Sequence, residues 1–189
     1  MDAQEAHKIL TSYKAGGWGY FLTPHTDQPL GVGMLYSNVR HPLFNPEDDL
    51  FDTVASAVLV LSHECDIDPD NDRPFNNMAL VCPILPFENV INDFITAEGM
   101  SSERITSFLS DIAKGNISRV EYIPQFTPNF LPYGGIIYLN QICHTHVKCF
   151  ELDGATPQAT LTQQGLQVID MKMTNHLLRP KSISLPSLY

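Results

Sequence analysis

Apolar and polar positions recur along this chain with two periods, and the switches between them mark its elements. Residues 2–14 carry Ala3, Ala6, Ile9, Leu10 and Tyr13 at helical spacing, and Gly16-Gly17 supplies a stop. Residues 18–22 and 32–36 read as strands, joined by a turn-rich segment with Pro24, Asp27, Pro29 and Gly31. Residues 38–52 are polar and broken by Pro42 and Pro46, which predicts a loop. Residues 54–62 form a nearly continuous apolar run rich in valine, the mark of a central strand. After a polar excursion over 68–77, residues 78–84 give a second buried strand, antiparallel to the first.

Two helical patterns follow, over 87–97 and 102–114. Ser101 or Ser102 serves as N-cap of the second, and Gly115 as its stop. Residues 119–126 alternate as a strand, and Pro124, Pro128 and Pro132 then force an irregular path to Gly134-Gly135. Residues 136–150 predict one long strand or two consecutive ones. The pattern closes with a helix over 162–178, with Leu166, Ile169, Met173 and Leu177 on one face, and a flexible tail over about 180–189. The expected fold is a single α+β domain spanning 1–189. Its sheet is an SH3-like β-barrel or a strongly bent antiparallel sheet, with inserted helices and a C-terminal helix.

Charge narrows the partners. The chain carries 21 acidic against 11 basic residues, a net charge of -10. Broad nucleic-acid binding needs Lys and Arg to replace phosphate counterions, so it is not expected here. No stretch has the length and apolarity of a membrane span. The acidic start, Met1-Asp2-Ala3-Gln4-Glu5, is unlike a secretion signal, which makes a cytoplasmic protein with reduced Cys65, Cys82, Cys143 and Cys149 the expectation.

The densest chemistry lies in Leu61-Ser62-His63-Glu64-Cys65-Asp66-Ile67-Asp68, at the end of the main apolar strand. If that strand continues, Leu59, Leu61, His63 and Cys65 share one face. His63, Cys65 and Asp66 have the residue types of a thiol or imidazole site, with His as acid/base for hydrolysis or phosphodiester cleavage. His144 and His146 share a face of a later strand. Were the two strands neighbours, His63, Cys65, His144 and His146 would suit tetrahedral zinc. The alternative is structural: a cysteine packed at a strand end, and an Asx-type turn through Asp66, Asp68, Pro69, Asp70 and Asn71. Cys82 reads as core. Trp18, Tyr20, Phe21, Tyr36 and Phe44 read as core or as a groove, and Arg40 with His41 as an anion contact from a loop.

The run Val58-Leu59-Val60-Leu61-Ser62, a polar excursion, then Ala79-Leu80-Val81-Cys82-Pro83 resembles the centre of PemK/MazF-like toxins, small SH3-like barrels that cleave RNA. The stretch Ile136-Ile137-Tyr138-Leu139-Asn140-Gln141-Ile142, followed by a polar link and a helix with Leu161 and Leu166, is similar to that family's closing layout. The resemblance implies a barrel and a toxin-like or defence-related role. The family's Arg-Pro position falls at Ser56-Ala57, and its later hydroxyl position near Ile84 or Leu85, so no catalytic residue carries over. The Ser-x-x-Cys-Asp-Ile segment and Phe130-Leu131-Pro132 also resemble uncharacterised bacterial and phage proteins.

Two classes of function remain at this stage. One is a barrel that acts on a substrate or partner through His63, Cys65 and Asp66, hydrolytic if an enzyme. The other is a non-catalytic protein-interaction module with a structural zinc site.

Overall fold

The computed structural model describes residues 1–14, 18, 21–25, 27–45, 47–68, 70–72, 74, 76–127 and 129–177. Eight strands carry the fold: β1 (Leu22–Pro24), β2 (Met34–Asn45), β3 (Leu50–Val60), β4 (Met78–Pro86), β5 (Val120–Ile123), β6 (Gly135–Tyr138), β7 (Cys143–His146) and β8 (Thr156–Leu161). They form an antiparallel sheet ordered β1-β8-β2-β3-β4-β6-β5, with β7 paired to β4 off that path. The helices are α1 (Ala3–Ser12), α2 (Glu64–Ile67), α3 (Phe87–Thr96), α4 (Ser102–Ala113) and α5 (Gln163–Leu177).

Alternation along the strands divides the core. Leu35, Leu59, Cys82, Ile84, Ile137, Ala159 and Leu161 face one side and meet Leu166, Ile169 and Met173 of α5. Met34, Tyr36, Val58, Val60, Ala79 and Val81 face the other side, where Ile67 and Phe150 pack. At the far end, Val120, Tyr122 and Ile136 seat α1, α3 and α4 through Leu10, Ile91, Ile105 and Leu109. Burying such faces is the main stabilising term.

The two middle helices follow their sequence signals. Ser101 Oγ accepts from Arg104 N–H as N-cap, and Gly115 (φ +71°) ends α4 in the left-handed conformation that glycine adopts freely. The expected pairing of residues 54–62 with 78–84 is the antiparallel β3–β4 ladder.

Several expectations change. Residues 38–52 are not a loop. β2 runs on to Asn45 and β3 begins at Leu50, so the two form a long ribbon. A bulge at Ser37-Asn38 (Asn38 φ +57°) marks where it leaves the sheet. β8 accompanies β2 only over 34–37, so the ribbon has an open edge, where a residue without an N–H such as Pro42 is tolerated. Residues 156–161, which carry no clear strand pattern, form β8 and bind β1 to β2. Residues 136–150 divide into β6, a short 3-10 turn, β7 and another 3-10 turn.

Around the first helix and strand, α1 ends at Ser12, β1 covers 22–24, and Gly16-Gly17 and Tyr20 lie outside the described residues. On α5, Lys172 is buried and Leu177 exposed, reversing the expected face at those two positions. The tail from 178 lies outside the described residues. Among the described residues no helix is long and apolar enough to cross a membrane.

Candidate functional site

The strand does not continue to Cys65. β3 ends at Val60, and Leu61 N–H still bonds Leu80 O at 2.8 Å, but the next Leu80 bond goes to a side chain. Ser62 Oγ accepts the Leu80 N–H at 2.8 Å, which satisfies β4 while letting the main chain turn away. The chain then winds through α2, pinned below by buried Ile67. Asn71 Nδ2 donates to Cys65 O at 2.8 Å and Asp70 N–H to Asp68 Oδ1 at 2.9 Å, the Asx-type turn the sequence predicts.

This scaffold holds His63, Glu64, Cys65 and Asp66 outward, all exposed. His63 and Cys65 do not share a strand face. His63 precedes α2 and lines a small cavity of about 140 Å³ with Leu61, Leu166, Asp170 and Met173. Cys65 lines another of about 330 Å³, walled by Pro29, Leu30, Glu64, Ile67, Asp68 and Asn71. Cys65 Sγ lies 3.9 Å from Asp66 Oδ1, at the outer edge of a sulfur contact. The wall from the opposite loop is close. A Cβ on Gly31 would sit 3.0 Å from Glu64 Oε2, so only glycine lets the two segments meet without displacement.

The four residues of the zinc proposal are not gathered. β4 lies between β3 and β7, because its residues 81 and 80 pair with Cys143 and His144 on one edge while residue 81 pairs with Val60 on the other. Two ladder spacings of about 4.8 Å each therefore separate β3 from β7, so the adjacency that the zinc set requires is not formed. His146 Nδ1 instead accepts the Lys148 N–H at 3.2 Å and caps the following turn. Among the described residues no group of three or more His, Cys, Asp and Glu side chains is placed to hold a metal ion.

The aromatics separate in the same way. Trp18, Phe21 and Tyr36 are core, and Phe44 is exposed. Cys82 is core too, and burial pushes its thiol up to about 12.

A pair not anticipated lies at the base of the ribbon. His41, expected in a loop, is on β2 and only 3% exposed, with Nε2 2.8 Å from Ser56 Oγ. Its Nδ1 lies 3.2 Å from Pro42 O, and a carbonyl can only accept, so Nδ1 carries the proton. In the neutral ring Nε2 is then an acceptor facing the serine, and burial lowers the His41 pKa to favour that form. The Ser56 hydroxyl has one proton, and Ala57 O at 3.0 Å competes with Nε2 for it. Of the two, only Ser56 carried a signal in the sequence, as a polar residue inside the valine-rich run, whereas His41 lies in a stretch that reads as a loop.

A further cavity, about 380 Å³, opens between α1 and β5 beside His7, Trp18, Tyr122 and Phe126. Here Tyr122 donates to Tyr133 O at 3.0 Å, so His7 donates through Nε2 to the phenol at 3.1 Å. That chain is internally satisfied and ties α1 to β5.

What the Cys65 cavity can do follows from its lining. Apolar Leu30 and Ile67 lie beside the carboxylates of Glu64 and Asp68, and among the described residues its lining holds no Lys, Arg or His. The arrangement suits an aliphatic chain ending in a positive charge. No protein-family model and no curated protein matches the chain.

Proposed function

We propose that this protein is a non-catalytic interaction module that seats a cationic group of its partner, a Lys or Arg side chain, in the cavity beside Cys65. The observation that carries the reading is the cavity's pairing of an apolar wall, Leu30 and Ile67, with the carboxylates of Glu64 and Asp68. A Lys or Arg stem lies on apolar surface while its head meets carboxylates, and the arginine fork matches them bidentately. The hydrogen bonds from Ser62, Asn71 and Asp68 hold the site in shape before binding, which lowers the cost of association.

The test is an NMR titration with Nα-acetyl-arginine amide. Shifts confined to Leu30, Glu64, Cys65, Ile67 and Asn71, abolished in Glu64→Gln/Asp68→Asn, support the reading. Shifts absent from those residues, or unaffected by the double substitution, overturn it.

An SH3-like barrel is the finer reading of the curled half of the sheet. It is supported by Thr145 Oγ1 of β7, which donates to Arg40 O of β2 at 2.6 Å and brings the two strands together.

A hydrolytic, toxin-like reading has one specific observation in its favour: Ser56 Oγ against the oriented His41 imidazole, the relation of a nucleophile to its base. Its test is diisopropyl fluorophosphate. In that reaction Ser56 Oγ bonds phosphorus, fluoride leaves and His41 takes the proton. Labelling of Ser56 that is lost in His41→Gln favours it, and an unlabelled Ser56 removes it.

A further inference from the structure

The outer half of the β2–β3 ribbon carries apolar side chains, Phe44 and Phe51 on one face and Leu43 and Leu50 on the other, that the described residues do not cover. Leu43, Phe44, Leu50 and Phe51 are 47, 48, 61 and 71% exposed. The tip is ordered despite that exposure. Phe44 and Phe51 oppose each other across the ladder with ring centroids 5.4 Å apart. Asn45 Oδ1 accepts Glu47 N–H at 3.0 Å, and Asp48 Oδ1 accepts Leu50 N–H at 3.1 Å. Lower down, His41 with Ser56 ties the two strands of the ribbon to each other, and Thr145, donating to Arg40 O, fastens the ribbon to β7.

These four large apolar side chains contribute less to folding than core residues, since roughly half or more of the surface of each stays in water. They match instead the aromatic and aliphatic anchors on which interfaces concentrate their energy. The charge around them selects the occupant. Glu47, Asp48, Asp49 and Asp52 surround the tip, and residues 42–56 contain no Lys, Arg or His. A second copy would bring the same four carboxylates and a net charge of -10, and an anionic membrane or a nucleic acid would also be repelled. A protein with a basic rim around an apolar groove is attracted by the same charges.

We infer that the ribbon tip is a docking surface for a basic protein partner, whose apolar groove receives Phe44 and Phe51 while its Lys and Arg residues face Glu47, Asp48 and Asp49. This goes beyond the cavity reading and uses none of its residues.

The test places p-benzoylphenylalanine at Phe51, with a control at exposed Ile95 of α3, and crosslinks the full chain in the cells that make it. The partner recovered is then purified and its affinity measured directly. The expected result is a basic protein crosslinked at position 51 and not at 95. Its affinity is expected to fall about tenfold or more with Phe44→Ser/Phe51→Ser, and similarly with Glu47→Lys/Asp49→Asn, while raised salt weakens it. Circular dichroism on both variants keeps loss of folding from passing as loss of binding. Adducts with another copy, with lipid or with an acidic or neutral protein overturn the inference. So does no adduct above the control, or an affinity that both variants leave unchanged. Glu64→Gln/Asp68→Asn runs in parallel, so failure at the cavity and failure at the ribbon are read separately.

Discussion

Lys172 Nζ lies 2.9 Å from Glu121 Oε2, with both side chains 4% exposed. Two backbone carbonyls, of Ile117 and Val120, accept the ammonium's other protons, so its three donors have three partners. The pair fastens α5 to β5. Removing one partner leaves a buried charge alone, so Lys172→Ala is expected to cost about 3–5 kcal/mol in urea unfolding. Lys172→Met/Glu121→Leu is expected to recover most of that loss. A double substitution as damaging as the single one would mean that the carbonyl bonds matter more than the ion pair.

The candidate turn separates anchoring from displayed residues. His63→Ala and Cys65→Ser remove exposed side chains and are each expected to change stability by less than about 0.5 kcal/mol. Ser62→Ala leaves the Leu80 N–H without its acceptor and is expected to cost about 1–3 kcal/mol. Ile67→Ala opens the core beneath the turn, at about 2–5 kcal/mol. Chemical denaturation of the four variants checks the order, and a large loss at His63 or Cys65 would make those residues structural.

His41 predicts a pH response. Its folded pKa is lowered below the ordinary 6.5 by burial, so the folded state resists the proton that the unfolded chain accepts. Its contribution is therefore complete above about pH 6.5 and lost as pH falls through the lowered value. Glu121 acts oppositely, because burial raises its pKa, and stability tied to its protonated form is lost as pH rises. Comparing wild type with His41→Gln between pH 7 and pH 5 isolates the histidine. The wild type is expected to lose more stability over that interval, and parallel curves would contradict it.

Metal addition tests the strand order. With β4 standing between the His63–Cys65 turn and β7, an equivalent of zinc is expected to leave the thermal midpoint unchanged, and so is EDTA. A zinc-dependent rise abolished by His63→Ala and by His144→Ala would mean that the two ends come together.

Elements dominated by burial were readable from sequence. β4 and α4 show their period, their cap at Ser101 and their stop at Gly115 in the residues themselves. β8 did not show itself because only Ala159 and Leu161 of its six residues are buried and Pro157 interrupts the pattern. The outer ribbon resembled a loop because its polar residues with Pro42 and Pro46 break the strand period. The end of β3 depends on a hydroxyl, Ser62, replacing a ladder acceptor, which no period encodes. Motif composition located the exposed turn, but pairing decided its neighbours. That pairing placed β4 between His63 and His144 and set Ser56 against His41.

Strand β4 holds β3 along one edge, and on the other it is shared between β7 and β6. On the far flank, among the described residues, β1 pairs in the sheet with β8, joining Leu22 to Leu161. Assembly therefore cannot follow the order of synthesis. The β2–β3 ribbon closes locally, but β4 gains its second edge only once residues 135–146 exist, and β2 only after 156–161. Until then the nascent chain carries two unsatisfied strand edges rich in valine and leucine, which invite pairing with other chains. Such long-range closure slows folding, so this chain's yield in a cell is set as much by protection of those edges during synthesis as by the stability it finally reaches.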